Sequence, residues 1–373
     1  MTGSTRLARL IVALTASVAV GVGGSLAVAT AASAKTQAPK STLEKPSAGT
    51  VTETGSTLLY PLFNLWAGGY STKYPSVTVS TAGTGSGTGL ADAANGTVDI
   101  GASDAYLAPS ARTATPTLLN IPLAISAQIV AYNIPGVTAH LVLSGQVLSH
   151  IYQGKVTTWN DPSITALNPS VTLPSIPIVT LHRSDGSGDT FIFSTYLSDA
   201  DPSGWGKTIG YNTTISWPTA PGALGENGNS GMLAGCKATS GCVAYVGISY
   251  LTQALQAGLG YAALVNGKGK AVLPTPGTVA AEAAAFVKKT PPNGTISLIF
   301  GKVANGYPII NYEYAIVNSN QSSSSAAKDI RSVLEWAINS KDGNAPSYLT
   351  QVNFQQLPTK VVAQSLKQIQ TIQ

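Results

Sequence analysis

The stretch IPIVTLHRSDGSGDTFIFSTYL, residues Ile176–Leu197, decides the fold. Its opening, Ile176 to Leu181, is rich in Ile, Val and Thr and reads as a buried strand. A turn of small and polar residues follows, Arg183-Ser184-Asp185-Gly186-Ser187-Gly188-Asp189-Thr190, and then a helix-like run from Ser187 to Leu197. Strand, Gly/Ser turn and helix in that order make one α/β unit. A helix starting in such a turn points unsatisfied amides outward, and glycine lets the backbone come close to a ligand. The turn is therefore a candidate anion cradle, with Arg183 beside it.

The same arrangement occurs twice more. Gly55-Ser56-Thr57 precedes a helix over Tyr60–Tyr70, and Ala82-Gly83-Thr84-Gly85-Ser86-Gly87 joins a strand over Val77–Ser80 to a helix over Gly89–Asn95. Each turn by itself reads first as an ordinary capped connection; three of them, one with an arginine, weaken that reading in favour of the cradle. Further strands are expected over Ile129–Tyr132, Ala244–Ile248 and Tyr314–Val317, and helices over Val279–Val287, Ser325–Ile338 and Thr359–Ile369. Alternation of this kind predicts an α/β fold with parallel pairing, and the length suits two domains. A fourth element, Val98-Asp99-Ile100-Gly101-Ala102-Ser103-Asp104-Ala105, brings Asp104 to the end of an apolar stretch. A carboxylate in an anion site makes sense only if the anion carries a proton to donate, as hydrogen phosphate does.

Composition narrows the class. Charged residues are 10% of the chain, against roughly 25% in ordinary soluble domains, so Ser, Thr, Asn, Gln and Tyr must wet the surface. Arg6 and Arg9, the uncharged run Leu10–Ala34 and its Ala32-Ser33-Ala34 end read as an export signal cleaved after Ala34, with an uncleaved membrane anchor as the competitor. Without that segment 19 basic residues face 16 acidic ones, unclustered, which leaves no nucleic-acid footprint. Residues 35–49 read as a flexible linker. Cys236 and Cys242, the two cysteines, are expected to pair in an exported chain. The catalytic signatures are missing: no Gly-x-Ser-x-Gly elbow, no P-loop, and His140, His150 and His182 without zinc-ligand spacing. His182 is the histidine nearest the candidate site. No metal and no cofactor is expected.

These residues together resemble the phosphate-binding proteins of phosphate ABC importers. The resemblance rests on Gly55-Ser56-Thr57 with Pro61 and Trp66, Val98 to Asp104, Arg183 to Gly188, Gly225-Glu226-Asn227-Gly228-Asn229, Trp159-Asn160-Asp161-Pro162 and Asn311-Tyr312. It runs from about Thr50 to the C-terminus and implies a two-lobed, hinged periplasmic-binding-protein fold of type II. Lobe I would hold residues 50–125 and 308–373, and lobe II residues 126–307, with hinge strands near Pro122–Ala127 and Gly306–Ile310. Implied phosphate contacts are Thr57, the amide of Leu58, Ser86, Asp104 as proton acceptor, Arg183 held by Asp185, and Ser187 and Gly188 at a helix start. Asp189 departs from the family, which places a hydroxyl donor there; either Thr190 takes over that bond, Asp189 serves as a helix-start acid, or it accepts a second proton. The implied partners are inorganic phosphate and the permease subunits of an ABC importer. The protein is expected to be exported, to the periplasm, cell surface or medium, and to be no enzyme; alternatives are a secreted phosphoester hydrolase or phosphate-related surface protein on the same fold, or a binder of another oxyanion.

Overall fold

A computed structural model describes residues 43–373; the expected export signal, residues 1–34, and the first part of the expected linker lie outside them. In chain order, β1 (Gly49–Gly55), α1 (Tyr60–Lys73), β2 (Val77–Gly83), α2 (Ser86–Asn95), β3 (Ile100–Ser103) and α3 (Pro109–Ala114) lead into β4 (Leu118–Asn133). The middle adds β5 (Val142–Leu143), α4 (Gly145–Tyr152), α5 (Pro162–Thr165), β6 (Val179–Arg183), α6 (Gly188–Ala200), β7 (Leu224–Glu226), α7 (Gly228–Ala238) and β8 (Cys242–Gly247). Then come α8 (Leu251–Gln256), β9 (Gly260–Tyr261), β10 (Ala263–Val265), β11 (Ala271–Val272) and α9 (Pro276–Ala284). β12 (Ile310–Asn318), α10 (Ser324–Ile338), α11 (Pro346–Leu349) and α12 (Thr359–Ile369) complete the chain.

Among the described residues a nine-stranded sheet runs β2-β1-β3-β12-β4-β8-β6-β7, with β9 also on β4. β1 pairs in parallel with β2 and β3, and β6 with β7 and β8, as the alternating pattern predicts. β12 runs antiparallel to β3 and β4, and β4 antiparallel to β8, so the sheet is mixed rather than parallel throughout. The antiparallel strands are the crossing ones. Residues 118–127 of β4 pair with β12, and residues 128–133 pair with β8, so one strand serves both halves of the sheet. β4 is 16 residues long, where sequence periodicity marks only Ile129–Tyr132. Asn120, Ser126 and Gln128 interrupt its apolar pattern, yet all three are buried. A strand covered on both faces need not alternate.

Each half has its own packing. In the first, Leu62, Phe63, Trp66 and Tyr70 line the buried face of α1, and Tyr70 meets Trp336 of α10 edge to face at 5.6 Å. In the second, Phe193 of α6 stacks on Tyr245 of β8 at 4.6 Å and Trp217 lies on the same ring at 5.8 Å. Cys236, near the end of α7, is disulfide-bonded to Cys242 at the start of β8. Closing so short a ring is worth about 2 kcal/mol by loop entropy. Residues 43–49 of the expected linker are tied to α10: Arg331 Nε and Nη2 donate to Glu44 at 2.7 and 2.9 Å, and Ser332 Oγ donates to the Glu44 carbonyl at 2.6 Å. Among the described residues no helix is long and apolar enough to cross a membrane.

Candidate functional site

The first turn starts at Gly55, whose φ is +142° and whose added Cβ would stand 2.1 Å from the Ala102 carbonyl oxygen. Only glycine lets β1 run so close to β3 before the chain turns. Ser56 then folds the turn over Asp104: its Oγ donates to Asp104 Oδ1 and accepts from the amides of Leu58 (3.1 Å) and Leu59 (2.9 Å). The Leu58 amide, expected to point at a ligand, is thus bonded to Ser56, while the Leu58 side chain is fully buried.

The second turn closes on the first through the amides of Thr84 and Gly85, which donate to the Gly55 carbonyl at 2.9 and 2.7 Å. Gly85, at φ +96°, turns the chain straight into α2, so that helix begins at Ser86, a turn earlier than periodicity marks. Ser86 Oγ lies 3.3 Å from both Asp104 Oδ2 and the Asp104 amide nitrogen.

The third turn is the most heavily bonded. Arg183 ends β6 with its side chain 1% exposed; Nε donates to Asp185 Oδ1 at 2.6 Å, Nη2 to Asp185 Oδ2, and Nη1 to Asp189 Oδ2 at 3.0 Å. Asp185 also accepts the Gly228 amide at 3.2 Å. Ser187 caps α6, accepting from the Thr190 amide at 3.2 Å. Thr190 Oγ1 and the Tyr245 hydroxyl hydrogen-bond to each other at 2.7 Å. Asp189 neither caps the helix nor faces solvent: Oδ2 accepts from Arg183 and from Asn229 Nδ2 (2.6 Å), and Oδ1 from Gln128 Nε2 (3.0 Å). His182 lies on the other face of β6 with its ring against Trp217 at 5.0 Å.

The three turns meet. The Gly87 amide donates to the Gly186 carbonyl at 2.8 Å, and Asn229 Nδ2 donates to Thr57 Oγ1 at 3.0 Å. Gly188 packs directly on Asp104 and Ser86, since an added Cβ would stand 2.4 Å from Asp104 Oδ2 and 2.5 Å from Ser86 Oγ. Thr57, Ser86 and Asp104 from the β1–β3 half thus face Arg183, Ser187, Gly188 and Asp189 from the β6–β8 half. Sequence reading missed the floor of this arrangement. Glu313 of β12 accepts from Ser126 Oγ and from Asn311 Nδ2 (3.0 Å), and lies near enough to the Asp104 carboxyl to be raised by its charge. The available signal is a lone Glu in the apolar strand Ile310–Asn318, a lone Gln in β4, and Asn229 at the end of the Gly225–Asn229 motif.

Charge here is unbalanced. Burial first, and then the charge of Asp189, pushes the Asp104 carboxyl up to about 7, against the pull of Glu313, Ser56 and Arg183. Burial, then Asp104, raises Glu313 well above the carboxylate range, and burial raises Asp189 against the pull of Arg183. Burial also works to raise Asp185, but its bonds to Arg183 outweigh that and hold it low. Elsewhere, burial lifts Glu53 to about 8 and Glu282 to about 7. A carboxyl raised on folding binds more protons in the native than in the unfolded chain between its two values, so stability falls as pH rises through that window. The thermal midpoint of the ligand-free protein should therefore drop by several degrees from pH 5 to pH 8; a midpoint that rises across that range contradicts the burial of these groups.

Comparison with known proteins follows the same lines. A family model described as a PBP superfamily domain matches residues 40–341. A phosphate-binding protein PstS of Methanocaldococcus jannaschii is 35% identical over 327 residues, covering 82% of either chain. A PstS of Pasteurella multocida is 31% identical over 316 residues, covering 84% of this chain and 88% of its own. A phosphate-binding protein structure from Stenotrophomonas maltophilia superposes with a TM-score of 0.63 at 20% identity, over 85% of this chain and 93% of that one.

Proposed function

The chain belongs to the phosphate-binding PstS proteins of the PBP superfamily, and from that premise we propose how its cleft holds the anion. It is an α/β, two-lobed solute-binding protein that binds phosphate for an ABC importer. In our reading lobe I comprises residues 50–125 and 308–373 and lobe II residues 126–307, with β4 and β12 as the hinge strands. Phosphate sits where the three turns converge. Thr57 and Ser86 offer hydroxyls from lobe I, and Arg183, positioned by Asp185, offers charged donors from lobe II. The amides at the start of α6, Ser187 and Gly188, add the positive end of a helix. Asp104, bonded by Ser56, is the acceptor for the ligand's proton.

The observation that carries this reading is the meeting of turns from both lobes, through Asn229 on Thr57 and Gly188 on Asp104. The protein acts outside the cytoplasm, handing phosphate to permease subunits once the lobes reopen.

Equilibrium competition between phosphate and sulfate tests it. Phosphate should displace sulfate completely in the parent, because a fully deprotonated anion meets the Asp104 lone pairs with no proton between them. Asp104→Asn replaces that acceptor with an amide donor and should shift the sulfate-to-phosphate ratio by about tenfold, roughly 1.4 kcal/mol, towards sulfate. An unchanged ratio removes Asp104 from the contact set, and failure of the parent to bind phosphate removes the site.

A further inference from the structure

We propose that Asp189 is a second proton acceptor facing the bound anion, so that this cleft takes phosphate in its singly charged, dihydrogen form. The inference rests on the functional reading above and deepens it. Its basis is position. The Asp189 carboxylate lies one residue beyond Gly188, which packs on Asp104 and Ser86. Its Oδ2 is bonded by Arg183 and by Asn229, and the same Asn229 amide bonds Thr57. Asp189 therefore stands at the point where donors from both lobes converge, not on the outer face of its helix.

The groups facing Asp189 come from every element packed around it. Arg183 comes from β6, and Asp185 from the turn that follows. Asn229 comes from α7, Gln128 from β4, Tyr245 from β8, and Tyr250 from the segment after it. Asp104 lies opposite, with Glu313 of β12 behind it. Arg183 is the single cation in this set against four carboxyls, Asp104, Asp185, Asp189 and Glu313. Arg183 bonds both Asp185 oxygens and also Asp189 Oδ2, so its one charge is shared between two carboxyls. Asp104 adds a further buried carboxyl near Asp189, and the set holds no second cation for it. A dianion placed between them would add buried negative charge without compensation. Dihydrogen phosphate brings two O–H donors, one for each carboxylate, and a single charge for the arginine and the helix start. A site with Asp104 alone accommodates either protonation state; the second carboxylate selects the acidic one.

The test is calorimetric phosphate affinity between pH 5 and pH 8.5 in two buffers of different ionisation heat, for the parent, Asp189→Thr and Asp189→Asn. The parent should lose affinity about tenfold per pH unit once phosphate passes its second ionisation, with one proton taken up per phosphate bound. Both variants should lose less than about threefold per unit over the same range. Asn keeps the bonds from Arg183 and can meet Gln128 or Asn229, so it separates lost packing from lost proton acceptance. A parent profile that is flat, or that both folded variants reproduce, overturns the proposal and leaves Asp189 as a counter-ion that positions Arg183. Absence of phosphate binding by the parent at every pH overturns the functional reading itself, a distinguishable result.

Discussion

Arg183→Ala weakens phosphate binding by about 2–4 kcal/mol, roughly 30-fold to nearly 1,000-fold. The guanidinium is almost wholly buried, so each charged bond it offers a ligand escapes solvent screening. Its loss also leaves Asp185 and Asp189 without their shared cation inside the protein. Those carboxyls then take up protons or repel the incoming anion, and either outcome costs affinity. Arg183→Lys should fall between, because a point charge cannot bond Asp185 through two nitrogens and still reach forward. Titration calorimetry of folded variants decides this; an affinity within about threefold of the parent would place the phosphate elsewhere.

Gly188→Ala should cost about 2–3 kcal/mol of phosphate affinity without lowering the stability of the fold. The residue opens α6 with a φ outside the left-handed region, so alanine brings no backbone strain there. The difficulty lies across the cleft, where the new methyl would overlap Asp104 Oδ2 and Ser86 Oγ at 2.4 and 2.5 Å. Lobes that cannot close hold the ligand from one side only. Small-angle scattering should show the parent contracting on phosphate addition while the variant keeps its ligand-free radius. A variant that contracts and binds like the parent rules out a closure through this contact.

The strand-turn-helix units were readable because their signals are local. The Thr359–Ile369 helix has its expected bounds, and the strand starting at Val77 and the helices starting at Tyr60 and near Ser187 begin where apolar period and turn residues place them. The two crossing strands were read short for a physical reason. Asn120, Ser126 and Gln128 in β4, and Asn311 and Glu313 in β12, look like breaks in an apolar pattern. In the fold all five are buried, and Ser126, Gln128, Asn311 and Glu313 are bonded to one another or to the turns, through partners as far apart as Ser126 and Glu313. Antiparallel pairing of β4 with β12 has the same long-range origin, since no local signal distinguishes it from the parallel pairing of the α/β units. For the site, the resemblance indicates residue types at each turn but not their burial. Ser56 shows the limit: one hydroxyl in a recognised Gly-Ser-Thr turn takes the Leu58 amide and reaches Asp104. Asp189 shows it again, for its surroundings are assembled from β4, β6 and α7.

A crystal of the protein grown in arsenate, with diffraction measured at the arsenic edge, locates a tetrahedral phosphate analogue without reference to any residue assignment. One anomalous peak per chain, enclosed by Thr57, Ser86 and Asp104 on one side and by Arg183 and the start of α6 on the other, is the expected result. A peak elsewhere on the chain, or none in a protein that binds phosphate in solution, contradicts the site.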